Sequence, residues 1–311
     1  MDKKLRIAYG EALVKLGKGN EKVVVCDADT AEATMTHFFR SAFPDRHFEF
    51  GIAEQNMVCA ATGMANEGLI PFVSTFAIFG AGRAYEQVRN AVAYMNSNVK
   101  IACTHPGISA GEDGGTHQSV EDIALMRVVP NMVVLCPCDC VETEKIVFAA
   151  AEHKGPMYLR ISRQESPDIT DPDKPFVIGK ADVIRPGKDV CIMAVGLMVN
   201  IALEAAAVLE EKGISVEVAN MSSIKPIDRE YILKANSSFK AILTAEEHSI
   251  YGGLGSSVAE IIAGKAGAEF DILGVEDKFG RSGEPSEIFR AYGLTKERIV
   301  EKCLNMLQKS D

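Results

Sequence analysis

Short, uninterrupted apolar runs that alternate with helix-length segments constrain the fold of this 311-residue chain more than any other feature. Five such runs in the first half lie at 23–26, 70–75, 99–103, 132–136 and 157–161. Strands that are covered on both faces have this composition, whereas strands with one solvent face alternate apolar and polar residues. The alternation therefore predicts an α/β fold with a doubly wound parallel sheet.

The segments between these runs have the length and composition of helices. They lie at 54–67, 80–95 and 141–151. The first is rich in alanine and methionine, and Gly68 follows it as a natural C-terminal cap.

A change in composition at 165–188 marks a boundary, because this stretch contains four prolines and several aspartates. A second α/β set follows it. Its strands are predicted at 189–195, 214–219, 239–245 and 270–274, and its helices at 199–212, 254–264, 285–291 and 295–308. We therefore predict two doubly wound domains, 1–166 and 188–311, joined by a linker at 167–187.

Composition excludes several classes of protein. Hydrophobic residues make up 47% of the chain, which is enough for sizeable cores. The formal net charge is −10, whereas a groove that tracks nucleic-acid phosphates favours the opposite sign. Neither a basic-then-apolar leader nor an apolar run of membrane-spanning length is present, so we expect a cytoplasmic protein with no membrane partner.

The run Cys136-x-Cys138-x-Cys140 has two interpretations. In an extended strand the three thiols would point the same way and could clip a metal ion. The favoured alternative is the end of a strand in a reducing compartment, where a thiol acts as a small hydrophobe.

Three segments carry candidate chemistry. Gly51-Ile-Ala-Glu54-Gln follows a short predicted strand, 48–50, and places a carboxylate at the first turn of a helix, where it could simply complement the helix dipole. Thr75-Phe76-Ala-Ile-Phe79 follows a strand, and two phenylalanines three residues apart are more often core than a ligand platform.

The third segment, 104–118, is the most informative. It contains several glycines, His105, His117, Glu112 and Asp113, and it follows the strand at 99–103. Open α/β sheets bind ligands at the carboxyl ends of their strands, and a polar, glycine-rich loop suits a cleft better than a core. A metal site is conceivable, but the glycine density favours a substrate loop.

Two further elements are weaker signals. Arg163, at the end of the strand 157–161, could grip a phosphate with its planar guanidinium. The segment Glu246-Glu247-His248…Gly252-Gly-Leu-Gly255 resembles an anion-binding turn, although domain packing is its favoured use.

Taken in order, these motifs resemble the pyrimidine-binding and C-terminal domains of the transketolase family, over essentially the whole chain. They are Asp-Ala-Asp (27–29), Gly-Ile-Ala-Glu-Gln, Thr-Phe-x-x-Phe, Gly-Glu-Asp-Gly-x-Thr-His, Ser-Arg-Gln, and Glu-Glu-His…Gly-Gly-Leu-Gly. The resemblance implies a thiamine-diphosphate-dependent enzyme that transfers a two-carbon ketol unit from a ketose phosphate to an aldose phosphate in the pentose phosphate pathway.

The resemblance also implies cofactor roles. Glu54 matches the glutamate that hydrogen-bonds N1′ of the cofactor's aminopyrimidine and promotes its imino tautomer. Phe76 and Phe79 match the aromatic pocket around that ring, and Asp29 matches an aspartate near the thiamine.

Substrate roles follow in the same way. His105 and His117 match histidines of the substrate channel, and Asp113 matches an aspartate that reads a substrate hydroxyl. Arg6 and Arg163 match arginines that hold the sugar phosphate.

The chain departs from the family pattern at two positions. A serine that often contacts the phosphate is replaced by Ala33, beside Thr34, and the third aromatic residue of the pyrimidine pocket is replaced by Gly82. A pentulose phosphate other than the usual one therefore stays open as a substrate.

The family's Gly-Asp-Gly…Asn element, which binds the cation that holds the diphosphate, is absent from this sequence, so we predict no metal ligands here. We expect a second polypeptide, an N-terminal subunit, to carry this element together with Mg²⁺ or Ca²⁺.

Assembly follows from the family's cofactor site, which lies between two protomers. We predict two copies of this chain with two of the partner, in an α2β2 complex. The helix beginning at Glu54 is apolar nearly all round, which suits a subunit interface, although burial within its own domain is the alternative.

Three rival functions remain open. They are the β subunit of a 2-oxo acid dehydrogenase, a deoxyxylulose-phosphate synthase-like enzyme, and a non-catalytic regulatory or assembly subunit. The 104–118 loop and Ser-Arg-Gln favour transketolase over the first two, and retention of Glu54, His105, Asp113 and His117 argues against the third.

Overall fold

The fold is taken from a computed structural model that describes residues 3–310. The outermost ends of the predicted domains 1–166 and 188–311 lie outside the described residues. The strands are β1 (Lys3–Lys4), β2 (Val23–Asp27), β3 (His47–Glu49), β4 (Ile70–Phe76), β5 (Lys100–Thr104), β6 (Val133–Leu135), β7 (Met157–Ile161), β8 (Glu165–Ser166), β9 (Asp182–Arg185), β10 (Val190–Ala194), β11 (Val216–Asn220), β12 (Ser223–Lys225), β13 (Ala241–Ser249) and β14 (Glu269–Val275).

The α-helices cover both sheets and connect most of the strands. They are α1 (Leu5–Gly19), α2 (Ala31–Thr34), α3 (His37–Ala42), α4 (Glu54–Asn66), α5 (Tyr85–Gln87), α6 (Asp122–Val128), α7 (Cys140–Glu152), α8 (Met198–Glu210), α9 (Arg229–Ser238), α10 (Leu254–Ile262), α11 (Pro285–Ala291) and α12 (Lys296–Ser310). Short 3₁₀ turns lie at Pro44–Arg46 and Ile108–Asp113.

The first sheet has seven strands in the order β12-β6-β7-β5-β4-β2-β3. All neighbours from β6 to β3 are parallel, and β12 pairs antiparallel with β6. Four of its strands are buried at every residue (β2, β5, β6 and β7), which is why they appear in the sequence as continuous apolar runs.

The second sheet has five strands in the order β14-β13-β10-β11-β9. Its strands from β14 to β11 are parallel, and β9 adds antiparallel at the edge. The predicted α/β fold with two mostly parallel sheets is thus confirmed.

One strand of the second half belongs to the first sheet, and part of the predicted linker forms a strand of the second sheet. Strand β12 follows the second sheet's β11 in the chain yet completes the first sheet. Strand β9 lies within the predicted linker 167–187 and belongs to the second sheet. The chain between the sheets is therefore part of the folded structure.

The predicted helix 80–95 is not a regular α-helix. It consists of two π-helical segments, Ile78–Arg83 and Val88–Tyr94, on either side of α5. Wide helical turns of this kind are frequent at functional sites. Gly68, by contrast, has φ +87° directly after α4, as predicted for a residue that ends a helix.

Among the described residues, no helix is both long and apolar enough to cross a bilayer.

Candidate active site

Most of the predicted site residues lie at one edge of the first sheet, where parallel strands end. Asp29 follows β2, Glu54 follows β3, His105 follows β5 and Arg163 follows β7. Strand β3 lies on one side of β2 and β4 on the other, so the chain connections diverge at this edge. Open α/β sheets bind ligands at such a switch point.

The loop after β2 forms one wall of the site. Asp27 is fully buried and accepts hydrogen bonds from the hydroxyls of Thr30, Thr34 and Thr36. Burial raises the pKa of Asp27, while these hydrogen bonds lower it. This rigid turn presents Asp29, with φ +58°, to a pocket of about 260 Å³.

Glu54 is almost completely enclosed, with only 2% of its surface exposed. It is the first residue of α4, and both of its carboxylate oxygens accept hydrogen bonds from Nη1 of Arg83, at 2.9 and 3.0 Å. An isolated buried carboxylate would be costly, so the guanidinium compensates its burial. Arg83 itself is 45% exposed and lies 4.4 Å from the centre of the Phe79 ring.

Two phenylalanine rings, one of them under the Arg83 guanidinium, form an aromatic group with the two histidines. Phe76 and Phe79 are nearly parallel, with ring centres 5.8 Å apart and an interplanar angle of 8°. His105 stacks on Phe76 at 4.0 Å, and His117 meets Phe79 edge-on at 5.5 Å. These partly buried rings therefore offer flat faces that can orient another planar ring.

His105 is held in an uncommon backbone conformation, with φ +58° for a residue that is not glycine. Its Nδ1 shares a hydrogen bond of 2.8 Å with the Thr104 hydroxyl. Burial lowers the pKa of His105 to about 3, with further lowering from the nearby cations of Arg6 and Arg163. The imidazole is therefore neutral at physiological pH and suited to hydrogen bonding rather than to carrying charge.

Two arginines lie close enough to His105 for their charges to lower its pKa. Arg6, on α1, donates from Nη1 to the carbonyl of Ala33 at 2.7 Å. Burial lowers the pKa of Arg6, and the charge of Arg163 lowers it further, so the two cations are close neighbours. Arg163 donates to the carbonyl of Ala110 at 2.6 Å and to Asp113 at 2.9 Å.

The structure thus connects most of the sequence-predicted residues by direct contacts or close charges, and Asp29 lines a pocket together with Phe76. Glu54 pairs with Arg83, whose guanidinium lies over the Phe79 ring, and His117 meets that ring edge-on. Two residues that bear on the site had no assigned role in the sequence, Arg83 and Glu247. Arg83 lies beside Gly82, where the family pattern has an aromatic residue. That departure was the one feature of the sequence that could have drawn attention to Arg83. Glu247 lies in the Glu-Glu-His segment, for which domain packing was the favoured use, and it contacts the substrate loop from the second domain.

The Glu-Glu-His…Gly-Gly-Leu-Gly segment binds an anion of its own. The Glu246 carboxylate accepts hydrogen bonds from the backbone nitrogens of Leu254 and Gly255, at 2.7 and 2.8 Å, at the start of α10. Glu246 is fully buried, and a side chain on Gly253 would collide with it. The resemblance to an anion-binding turn is therefore real, but the anion is internal.

The cysteine run does not extend a strand, because β6 ends at Leu135 and Cys140 begins α7. The described part of the chain contains no cluster of His, Cys, Asp or Glu suited to a metal ion. The favoured interpretation as a strand end with buried thiols fits this geometry, and the metal clip does not.

Comparison with protein families agrees with this architecture. Residues 2–168 match the transketolase pyrimidine-binding domain, and residues 179–299 match the transketolase C-terminal domain. The chain therefore belongs to the transketolase family.

Individual relatives refine this assignment. The chain is 45% identical over 310 residues to a putative transketolase C-terminal section of Methanocaldococcus jannaschii, covering 99% of this chain and 97% of the relative. It is 36% identical to a 6-deoxy-6-sulfo-D-fructose transketolase subunit of a Clostridium species, covering 99% and 95%. A solved split-gene transketolase, described as an inactive β4 tetramer, has 47% identity and a TM-score of 0.92, with 99% of both chains covered.

These matches span nearly the full length of relatives that are themselves sections or subunits. The chain is thus the C-terminal section of a split transketolase, which implies an N-terminal partner subunit. Its pyrimidine-binding domain implies a thiamine diphosphate site.

Proposed function

We propose that this chain, together with its N-terminal partner, is a thiamine-diphosphate-dependent transketolase that transfers a two-carbon ketol unit from a ketose phosphate to an aldose phosphate. The observation that carries the proposal is the buried carboxylate of Glu54, whose partner Arg83 lies over one ring of the parallel pair Phe76 and Phe79. A planar, basic ring that hydrogen-bonds one carboxylate and stacks on an aromatic face suits this arrangement.

The aminopyrimidine of thiamine fits these residues. Glu54 would hydrogen-bond its ring nitrogen N1′ and hold a proton there, with Arg83 retaining one carboxylate oxygen. Phe76 and Phe79 would orient the ring by stacking. When bound, the cofactor supplies the carbanion chemistry, and the protein tunes and positions it.

The substrate side of the proposal uses the histidines, Asp113 and the arginines. The neutral imidazole of His105 and the ring of His117 would hydrogen-bond the oxygens of the sugar, and Asp113 would accept from a hydroxyl. Arg6 and Arg163 together would bind the terminal phosphate, because paired guanidinium groups match the geometry of that anion.

The terminal anion need not be a phosphate. The Clostridium relative is named for a sulfo sugar, and a sulfonate presents oxygens to two arginines much as a phosphate does. Because Ala33 replaces the family's phosphate-contacting serine, a substrate panel for this enzyme should contain both kinds of sugar.

We propose further that Mg²⁺ or Ca²⁺ is bound by the partner subunit, and that the working assembly is α2β2, with this chain pairing through its first domain. The surface at the start of α4 supports the pairing. Ile52 is 76% exposed, and Cys59 and Gly63 lie on the exposed side of the helix. Met57 and Val58 are buried in the domain's own core, so only the remaining face is available for a second copy.

A reducing, cytoplasmic location and a role in the pentose phosphate pathway belong to the same proposal. All eight cysteines are free thiols in the structure, which fits a compartment that keeps thiols reduced.

The test is reconstitution. The chain is co-purified with its partner, and coupled assays measure turnover of ketose phosphates, sulfo-sugars, hydroxypyruvate and pyruvate. We expect ketol transfer from a phosphorylated or sulfonated ketose by the complex and none by the chain alone. Turnover of pyruvate with no ketol transfer would instead support the 2-oxo acid dehydrogenase alternative.

A further inference from the structure

The loop that carries His105, Asp113 and His117 belongs to the first domain but is held by the second. Ile108 is fully buried in a core cluster formed mainly by residues of the second sheet and its helices. Farther along the loop, the backbone passes so close to residues 280–282 that a Cβ on Gly115 would lie 2.6 Å from the carbonyl oxygen of Gly280.

Glu247, on β13 of the second sheet, lies under the start of this loop. Only 3% of its surface is exposed, and its Oε1 accepts a hydrogen bond of 2.5 Å from the backbone nitrogen of Ser109. Gly107 has φ +69°, and a Cβ there would collide with the same oxygen. The loop backbone therefore lies directly on the carboxylate, two residues after His105.

The surroundings of Glu247 contain both charge signs. From β7, Arg160 donates to the backbone carbonyl of Glu247 at 2.8 Å and to Asp122 of α6 at 2.9 Å. Its neighbours on β13 are Glu246 and His248, and Glu246 is bound to the start of α10. Burial raises the pKa of Glu247 to about 7, against the lowering effects of Arg160 and the Ser109 hydrogen bond.

We infer that Glu247 is a positioning residue: through the N–H of Ser109 it fixes the 105–117 loop, and with it the placement of His105 and His117 against Phe76 and Phe79. The C-terminal domain thereby takes part in substrate alignment without contributing a group to the reaction. This inference rests on the proposed function for its effect on turnover, but the contact itself does not. The ionised carboxylate makes the stronger local hydrogen bond to the loop, whereas burial of its charge destabilises the fold as a whole, so loop placement and global stability depend on pH with opposite signs.

The contact can be tested without substrate by hydrogen–deuterium exchange of the whole chain, alone and with its partner. Glu247→Gln keeps the shape but loses the charge, and Glu246→Gln is the matched control on the same strand. We expect amides in 105–118 to exchange about five-fold faster in E247Q, the difference between a charge-assisted and a neutral hydrogen bond. In E246Q the same amides should exchange at the wild-type rate at the same pH.

Turnover by the reconstituted enzyme gives the second readout. In E247Q we expect kcat/KM for the ketose to fall about five-fold, the apparent affinity for thiamine diphosphate to stay unchanged, and an ionisation near pH 7 to disappear from the pH profile. Unchanged loop exchange in E247Q, or equal acceleration in E246Q, would overturn the inference. Faster exchange of amides throughout the chain in E247Q would overturn it too, because Glu247 would then stabilise the whole fold rather than position this loop. If the wild-type complex transfers no ketol unit, the proposed function fails, while the exchange result still decides the positioning contact.

Discussion

Replacing Glu54 with glutamine tests the centre of the proposed site. The substitution keeps the size of a side chain that is 2% exposed, and the amide oxygen can still accept from Arg83. What it removes is the ability to carry and share a proton. Loss of an acid–base group costs roughly 10²–10⁴-fold in rate, so we expect kcat of the reconstituted enzyme to fall by that factor.

The stability of the variant should change little, and the structure shows why. One of the two hydrogen bonds from Arg83 is lost because the amide nitrogen cannot accept it, which costs about 1 kcal/mol, but the burial cost of the carboxylate also disappears. Arg83 is 45% exposed and can turn to solvent. We expect a change in Tm of at most about 2–4 °C, measured by calorimetry on the chain with its partner.

Arg83→Met is the matched control, because it breaks the same ion pair from the other side and leaves the carboxylate in place. Its kcat should stay within about ten-fold of the wild type. A near-wild-type kcat for Glu54→Gln would reduce Glu54 to a charge at the start of a helix. Equal losses in both variants would mean that the ion pair, and not the proton-sharing group, matters.

Three further predictions address the anion site, the buried carboxylate and the assembly. Arg6→Ala and Arg163→Ala should each lower kcat/KM for a ketose phosphate by about 10- to 150-fold and lower kcat/KM for hydroxypyruvate far less. Equal losses with both substrates in parallel assays would show that the arginines have a structural role. Burial raises the pKa of Glu247 from its ordinary value to about 7, so its stabilising contribution is fully present at low pH and is lost as the pH rises through 7. In denaturant titrations Glu247→Gln should therefore unfold no more easily than wild type at pH 8, and between pH 5 and 8 its free energy of unfolding should gain up to about 3 kcal/mol relative to wild type. Gly63→Arg on α4 should dissociate pairs of this chain in light scattering, whereas Gly19→Arg, at an equally open glycine, should not, and an intact pair in Gly63→Arg would place the interface elsewhere.

The sequence was most informative where the arrangement of the strands sets both the fold and the position of the candidate site. Strands buried on both faces appear as apolar runs, and the polar motifs directly after them must lie at one edge of a parallel sheet. The placement of Glu54, Phe76 and His105 at the same end of the first sheet could therefore be predicted from the order of these runs and motifs alone. Their particular roles came from the family resemblance, because a lone carboxylate at a helix start is compatible with a simple electrostatic role.

Contacts between distant parts of the chain could not be predicted in this way. Ser109 and Glu247 are 138 residues apart, and neither lies in a pattern that refers to the other. Strand β12 joins the first sheet although the surrounding chain belongs to the second. Helix α1, which carries Arg6, was not assigned, because its apolar and polar residues are only weakly segregated. The π-helical segments around α5 were also missed, since hydrophobic periodicity does not distinguish them from an α-helix.

The charges of the pocket after β2 suggest how the two subunits divide the cofactor. Asp29, Glu32 and Glu49 line this pocket with a single guanidinium, that of Arg40. Such a surface attracts a cationic thiazolium ring but repels a diphosphate, so we expect the partner and its proposed cation to neutralise the diphosphate. We therefore predict that the chain alone binds unphosphorylated thiamine at least as tightly as thiamine diphosphate, and that adding the partner reverses this order. Calorimetric titrations of both ligands, with and without the partner, measure it. A clear preference of the isolated chain for thiamine diphosphate would show that this chain contributes its own diphosphate contacts and that the proposed division of the site is wrong.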